Sequence, residues 1–88
     1  MLTERRKEIR SFKIIPVRYK KREDSLFTVG DIINLTDNGF CLLMPVHLDL
    51  EQGFEFEAFD GGKVIKGRAQ VVWMDQGHVR AGCIYSMN

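Results

Sequence analysis

The sequence lacks the features that mark membrane-spanning or secreted proteins. None of its apolar runs approaches the roughly 20 residues that a bilayer-spanning helix needs, and no signal-type apolar stretch follows the charged start, MLTERRKEIR. Cysteine is scarce: Cys41 and Cys83 lie inside apolar runs and form no CxxC pair, which favours buried free thiols. We therefore expect a cytoplasmic protein without membrane insertion.

Motifs for catalysis and metal binding are absent as well. The two histidines, His47 and His78, do not have the spacing of metal-ligand pairs, and we expect both on the surface or in loops. No GxSxG or phosphate-binding-loop motif occurs. Glu55 and Glu57 alternate with phenylalanines, which is typical of the solvated face of a strand rather than of an acid–base pair. We predict a binding protein and not an enzyme, with no cofactor and no metal site.

The sequence does contain short apolar runs rich in β-branched and aromatic residues, without sustained helical periodicity. Its 88 residues, 44% of them hydrophobic, suffice for one domain with one core. Because closing a sheet removes its exposed edges, six strands joined by turns favour a barrel. We predict an all-β fold, a six-stranded antiparallel β-barrel over residues 12–86, preceded by a flexible N-terminal segment over residues 1–11. The predicted strands are Phe12–Lys20, Leu26–Leu35, Phe40–Met44, Phe54–Phe59, Lys63–Met74 and His78–Tyr85.

Alternation within the strands indicates which side chains form the core. Hairpin turns are expected at residues 60–62 and 75–77. Pro16 indicates an edge position or a bulge, and Gly30 a bulge or a close backbone approach. The core-facing residues predicted on the fourth and fifth strands are Phe54, Phe56, Ala58, Ile65, Gly67, Ala69, Val71 and Trp73.

The charge is placed unevenly along the chain. Nine of the thirteen Lys and Arg residues lie in the first 22 residues, whereas ten of the twelve acidic residues come later. A basic segment ahead of an acidic body is a candidate anion-binding element, or else a solvated tail. Within it, Arg5, Arg6 and Arg10 lie close together in sequence. The planar fork of arginine matches phosphate oxygens and the guanine O6/N7 edge, so this cluster suits an anionic, purine-bearing ligand.

A second candidate segment, Asn34-Leu35-Thr36-Asp37-Asn38-Gly39, joins two predicted strands. Asn38-Gly39 suits positive φ and predicts a tight reversal. Asn34 and Thr36 are two apart, so on an extended strand they would share a face and place an amide beside a hydroxyl. A plain hairpin with turn-stabilising polar side chains would have the same sequence.

In order and spacing, the two segments resemble the signature of the PilZ domain family. RRxxxR at Arg5, Arg6 and Arg10 is followed after roughly 25 residues by [DN]x[ST]xxG at Asn34, Thr36 and Gly39. The resemblance covers essentially the whole chain, and it includes Gly53 before a strand, the run AQVVW over residues 69–73 and the closing GCIY over residues 82–85.

The resemblance implies a receptor for the bacterial second messenger cyclic di-GMP. Arg6 and Arg10, supported by Arg5, would meet phosphates and guanine edges. Asn34 and Thr36 would supply polar contacts, and Gly39 would set the turn so that the backbone approaches the ligand. Apart from the resemblance, Trp73 lies at the end of a predicted strand, so as an alternative to joining the core it is a further candidate contact with a base. Binding would order an otherwise mobile N-terminal segment and present a new surface to an unidentified effector protein.

Two alternatives stay open beside this interpretation. One is a protein–protein adaptor with a weak or vestigial ligand site. The other is a small barrel that binds single-stranded nucleic acid, which requires aromatic stacking residues on a basic face. The sequence gives no such aromatic cluster beside its basic residues, so no nucleic acid is expected as a partner.

Overall fold

The computed structural model describes residues 13–45 and 47–87, and over these residues the chain is all-β, without a helix. Within this part of the chain, therefore, no helix is long and apolar enough to span a bilayer. Six antiparallel strands form a closed barrel in the order β1-β2-β3-β6-β5-β4, which confirms the predicted fold class. The N-terminal segment that the sequence predicted to be flexible lies outside the described residues. The strands are β1 (Ile15–Lys20), β2 (Thr28–Ile33), β3 (Gly39–Leu43), β4 (Gly53–Asp60), β5 (Lys63–Met74) and β6 (Arg80–Met87).

Every strand pairs with two neighbours, so the described barrel has no free sheet edge. β1 pairs with β2 from Ile15 onwards but with β4 only from Val17 onwards. Pro16 therefore lies where β1 is unpaired on its β4 side, and its missing N–H removes no hydrogen bond there. Of the two alternatives predicted for Pro16, the edge position is the one that fits, because Pro16 is paired on its β2 side alone. The pairing register between β1 and β2 continues through Pro16 without a bulge.

The core is built by strict alternation along the strands. Phe54, Phe56 and Ala58 on β4 are at most 4% exposed, whereas the glutamates between them face outward, as predicted. Phe40 of β3 meets the rings of Phe54 and Phe56 edge-on, with centroids 6.4 and 5.1 Å apart. Burying each such ring contributes about 1.5–3 kcal/mol, so this aromatic cluster is a main source of stability.

Two turns show how side chain and backbone set the hairpins. Asp60 pairs with Lys63, which leaves a two-residue turn whose first residue, Gly61, has φ 66°. In the turn between β5 and β6, Asp75 Oδ1 accepts hydrogen bonds from the backbone N–H groups of Val79 at 2.7 Å and Arg80 at 3.1 Å. These bonds, led by the one from Arg80, hold the pKa of the Asp75 carboxyl below its ordinary value. Both predicted turns are thus confirmed.

Gly30 marks a close approach and not a bulge. It pairs in regular register with Val17. A Cβ at this position would lie 3.3 Å from the ring of Tyr19, which is itself buried in the barrel. The glycine therefore makes room for an inward-facing aromatic ring on the neighbouring strand.

Candidate ligand-binding site

The loop between β2 and β3, residues 34–38, is closed by hydrogen bonds between Thr36 and Gly39. The backbone N–H of Thr36 donates to the carbonyl of Gly39 at 2.9 Å. The Thr36 hydroxyl accepts from the backbone N–H groups of Asn38 at 3.3 Å and Gly39 at 3.2 Å. Because a hydroxyl has two acceptor lone pairs, both are engaged within the turn. The hydroxyl proton also has acceptors inside the turn, Asn38 Oδ1 at 3.4 Å and the carbonyl of Gly39 at 3.3 Å. Thr36 therefore shapes the loop with all of its hydrogen-bonding capacity.

Tyr85 on β6 fixes this turn from the inside of the barrel. Its hydroxyl donates to the carbonyl of Thr36 at 2.6 Å, and its backbone N–H donates to the carbonyl of Asn38 at 3.1 Å. The ring packs against Phe40 and Phe56 at centroid distances of 5.6 and 5.2 Å. Burial, together with the carboxylate of Asp37, raises the pKa of the Tyr85 hydroxyl, which keeps it a hydrogen-bond donor.

The prediction that Asn38-Gly39 adopts positive φ is wrong. Neither residue is in the left-handed region, and Gly39 is already the first residue of β3. Gly39 is required for a different reason: a Cβ there would lie 2.9 Å from the carbonyl oxygen of Cys83 on β6. The glycine lets β3 and β6 approach closely at the point where the loop joins the barrel wall.

The left-handed residue of the segment is Asn34, with φ 59°. It follows the end of β2, so the prediction that Asn34 and Thr36 share a face of one extended strand is also wrong. Asparagine tolerates this conformation better than most residues. With Leu35 and Asp60, Asn34 lines a cleft of about 240 Å³ that also includes Lys13, the first described residue. Lys13 is held there by an ion pair to Asp60 of 2.9 Å.

Trp73 was predicted to be a core residue, and the structure places it outside. A β-bulge between Val71 and Trp73 shifts the register, so that Val71 stays inside at 0% exposure while Trp73 is 47% exposed. Trp73 pairs with Gly82, and a side chain on Gly82 would collide with the indole. The indole therefore lies flat over the glycine on the outer wall.

One outward-facing row crosses four strands of the barrel. Ile33, Cys41, Gly82 and Trp73 pair in succession across β2, β3, β6 and β5. Neighbouring strands are about 4.8 Å apart, so the backbone of Trp73 lies roughly 10 Å from that of Cys41, and the indole over Gly82 extends toward Cys41. Beside this row Ile84, which pairs with Gly39, is 51% exposed. We call this surface the outer platform: it is apolar, has small residues at its centre and lies next to the loop.

Neither cysteine offers a reactive thiolate at this site. Both are free and buried, as predicted. Burial raises the pKa of the Cys83 thiol to about 12, with a smaller effect from Cys41, and burial also raises the pKa of Cys41. Since the thiolate is the nucleophile and the raised pKa values keep these thiols protonated near neutral pH, neither cysteine is activated for thiol chemistry.

The structure brings most of the predicted site residues to one side of the barrel. Thr36 and Gly39 lie in or beside the loop, Asn34 lies where β2 ends, and Trp73 lies across the outer platform. The predicted contacts Arg5, Arg6 and Arg10 lie outside the described residues. Sequence reasoning missed three residues that shape the site: Tyr85, Gly82 and Ile84. A glycine inside a strand pattern, Gly82, was the one available signal, because it indicates that another group approaches closely.

Comparison with known proteins adds no family assignment. No protein-family model matches the chain, and no curated protein matches it. Within residues 13–45 and 47–87, no group of three or more His, Cys, Asp or Glu side chains could hold a metal ion.

Proposed function

We propose that this chain is a cytoplasmic receptor for cyclic di-GMP of the PilZ type, and that it acts by binding rather than by catalysis. The observation that carries the proposal is the shared cleft of Lys13 and Asn34. It means that the chain carrying RRxxxR enters the barrel directly beside the [DN]x[ST]xxG segment. Arg10 precedes Lys13 by three residues in the sequence.

The described surface has the chemistry that a guanine-bearing ligand needs. The exposed face of the Trp73 indole suits stacking by a purine, which contributes about 1–3 kcal/mol per base in other proteins. The amide of Asn34 both donates and accepts hydrogen bonds and is exposed. Arg6 and Arg10, with Arg5 in support, would supply positive charge for the phosphates. Thr36 would act mainly by holding the turn, since its acceptor lone pairs are engaged.

In this proposal the signal is a change in the N-terminal segment. Ligand bound between its arginines and the outer platform would draw residues 1–12 onto the barrel and create a surface for an effector protein. Amide hydrogen exchange of residues 2–10 tests this step: we expect protection to rise on saturation with cyclic di-GMP. Equal exchange with and without ligand would contradict the mechanism without contradicting binding.

Isothermal titration calorimetry tests the binding itself. We expect saturable binding of cyclic di-GMP, and binding at least about tenfold weaker for GMP, which lacks the second guanine and the cyclic phosphodiester. Absence of heat with the folded protein, or equal affinity for both nucleotides, would contradict the proposal.

An adaptor function is the second candidate, and one observation favours it. Three apolar side chains near the end of β5 and on β6 are half-exposed: Val72 at 45%, Trp73 at 47% and Ile84 at 51%. A contiguous exposed apolar patch is typical of protein interfaces as well as of ligand sites. A folded protein that gives no heat with cyclic di-GMP would favour this function.

A further inference from the structure

A second surface lies on the opposite wall of the barrel from β3. Two clefts on the outer side of β4 and β5, of about 350 and 220 Å³, share Glu55 and Arg68 and so form one continuous groove. Phe27 and Lys66 line one end, and Arg22 lines the other. We call this the basic groove. In the closed strand order β4 lies three strands from β3 in either direction. The groove shares no lining residue with the cleft beside Thr36, although β5 contributes to both.

The cations of the basic groove are only partly compensated. Arg18 and Lys20 on β1 pair with Glu57 and Glu55 at 2.8 and 3.9 Å. Arg22, Lys66 and Arg68 are exposed and make no ion pair with any residue of the described ranges. Arg18 and Lys20 compensate the two glutamates only in part, but the three unpaired cations outnumber the glutamates. The groove therefore keeps a net positive charge that its glutamates interrupt.

Phe27 gives the groove an apolar end. The guanidinium carbon of Arg18 lies 4.4 Å from the centroid of its ring, and the ammonium of Lys20 lies 5.7 Å away. Such cation–π contacts hold the ring in place while it remains 36% exposed. One aromatic side chain therefore stands at the end of a line of unpaired cations.

We propose that the basic groove binds an extended acidic peptide segment of a partner protein. Lys66 and Arg68 are two residues apart on β5, so their side chains leave the same face about 7 Å apart. This is the spacing of alternate side chains in an extended peptide, which can place one carboxylate opposite each cation and an apolar side chain against Phe27. The inference goes beyond the proposed function and does not depend on which ligand occupies the other wall.

The groove suits a peptide better than single-stranded nucleic acid. Glu55 and Glu57 lie in the cross-strand positions beside Arg68 and Lys66, where a run of phosphates would meet them. An acidic peptide can carry its carboxylates only at the positions opposite Lys66 and Arg68. Nucleic-acid strands also bind through several stacking aromatics. Of the three phenylalanines that line this groove, only Phe27 is exposed, because Phe54 and Phe56 are buried in the core. Because exposed ion pairs are weak and screened, the complex should be weak and sensitive to salt.

The test is an NMR titration of the ¹⁵N-labelled full chain with a synthetic peptide in which glutamate alternates with threonine and leucine stands at one end. We expect saturable shifts at Phe27, Glu55, Lys66 and Arg68 that diminish as salt is added. Arg68→Gln should weaken binding at least about threefold, and Arg68→Glu at least about tenfold. Lys63→Glu, which makes the same charge change on the same strand outside the groove, should leave the affinity within about twofold.

Three results would overturn the proposal: absence of saturable binding, an equal loss in Lys63→Glu, or tighter binding of oligothymidylate than of the peptide. Arg68→Gln removes the positive charge without placing a second negative charge beside Glu55, so repulsion should not unfold the variant. Weaker peptide binding by Arg68→Gln therefore reports on the groove and not on a loss of folding. Cyclic di-GMP titrated into Arg68→Gln should bind as it does to the wild type. The titrations therefore distinguish a failure of the peptide to bind, which contradicts the proposed groove, from a failure of cyclic di-GMP to bind, which contradicts the proposed function.

Discussion

The hydroxyl of Tyr85 donates a 2.6 Å hydrogen bond to the carbonyl of Thr36, and this contact joins the last strand of the barrel to the loop of the candidate site. The two residues are 49 positions apart in the chain. Because the Tyr85 ring also packs on Phe40 and Phe56, the loop is anchored directly to the aromatic core. The site is thus held by packing from within the barrel as well as by its own turn.

Tyr85→Phe should loosen the loop while keeping the core filled. Loss of one hydrogen bond costs about 0.5–1.5 kcal/mol of unfolding free energy. In a domain of this size, each kcal/mol lost lowers the melting temperature by roughly 4–8 °C. Thermal unfolding without ligand measures the effect. A melting temperature equal to that of the wild type would show that the contact does not stabilise the loop.

The same contact predicts a dependence on alkaline pH. The pKa of Tyr85 in the folded protein is raised above its ordinary value of 10.0, so the folded state retains this proton more strongly than the unfolded chain does. The resulting stabilisation is fully present below pH 10.0 and is lost as the pH rises through the folded pKa. Denaturant titrations should therefore show that the difference in unfolding free energy between wild type and Tyr85→Phe shrinks as the pH rises above 10.0. A constant difference would contradict the assignment.

Gly39→Ala should destabilise the domain through a collision and not through backbone strain. The added Cβ would lie 2.9 Å from the Cys83 carbonyl, and forced overpacking typically costs about 1–3 kcal/mol. Gly53→Ala is the matched control, because a Cβ there would lie 3.7 Å from its nearest neighbour, the carbonyl of Ala69. Denaturant unfolding of both variants should show a loss for Gly39 alone. Equal effects would mean that the close approach of β3 and β6 is unimportant.

Asn34 offers a way to separate conformation from recognition. Its φ of 59° is left-handed, so Asn34→Gly keeps the backbone geometry while removing the amide. We expect Asn34→Gly to unfold at nearly the wild-type temperature but to bind cyclic di-GMP more weakly. Asn34→Ala should lose stability in addition, because alanine is strained there. If Asn34→Gly binds as tightly as the wild type, the amide makes no contact with the ligand.

Trp73 is the single tryptophan of the chain, so its fluorescence reports on the outer platform alone. A purine stacked on the indole should change the emission in a saturable way as cyclic di-GMP is added. Gly82→Ala should shift the emission even without ligand, because its Cβ would displace the indole, and should weaken binding. An emission spectrum that cyclic di-GMP leaves unchanged would exclude Trp73 from the site.

The strands and the inward faces were predictable because Phe54, Phe56 and Ala58 alternate with polar residues. The bulge before Trp73 was not, since Val71, Val72 and Trp73 are all apolar and alternation gives no sign of the register shift. The role of Gly39 was misassigned because turn preference describes local conformation, whereas the carbonyl that excludes a side chain belongs to Cys83 on another strand. Tyr85 was missed for the same reason: its partner is distant in sequence and is a backbone atom.

In the proposed function, the arginines ahead of the barrel bind cyclic di-GMP together with the loop. The most direct measurement is the calorimetric affinity for cyclic di-GMP of Arg6→Ala and Arg10→Ala, with Lys7→Ala as a control that removes one positive charge from the same segment. Losing a charge-assisted hydrogen bond costs about 1.5–3 kcal/mol, so each arginine variant should bind at least about tenfold more weakly, while Lys7→Ala should stay within about threefold. Wild-type affinity for cyclic di-GMP in both arginine variants would contradict this role of the arginines. So would a loss of affinity in Lys7→Ala as large as the loss in the arginine variants.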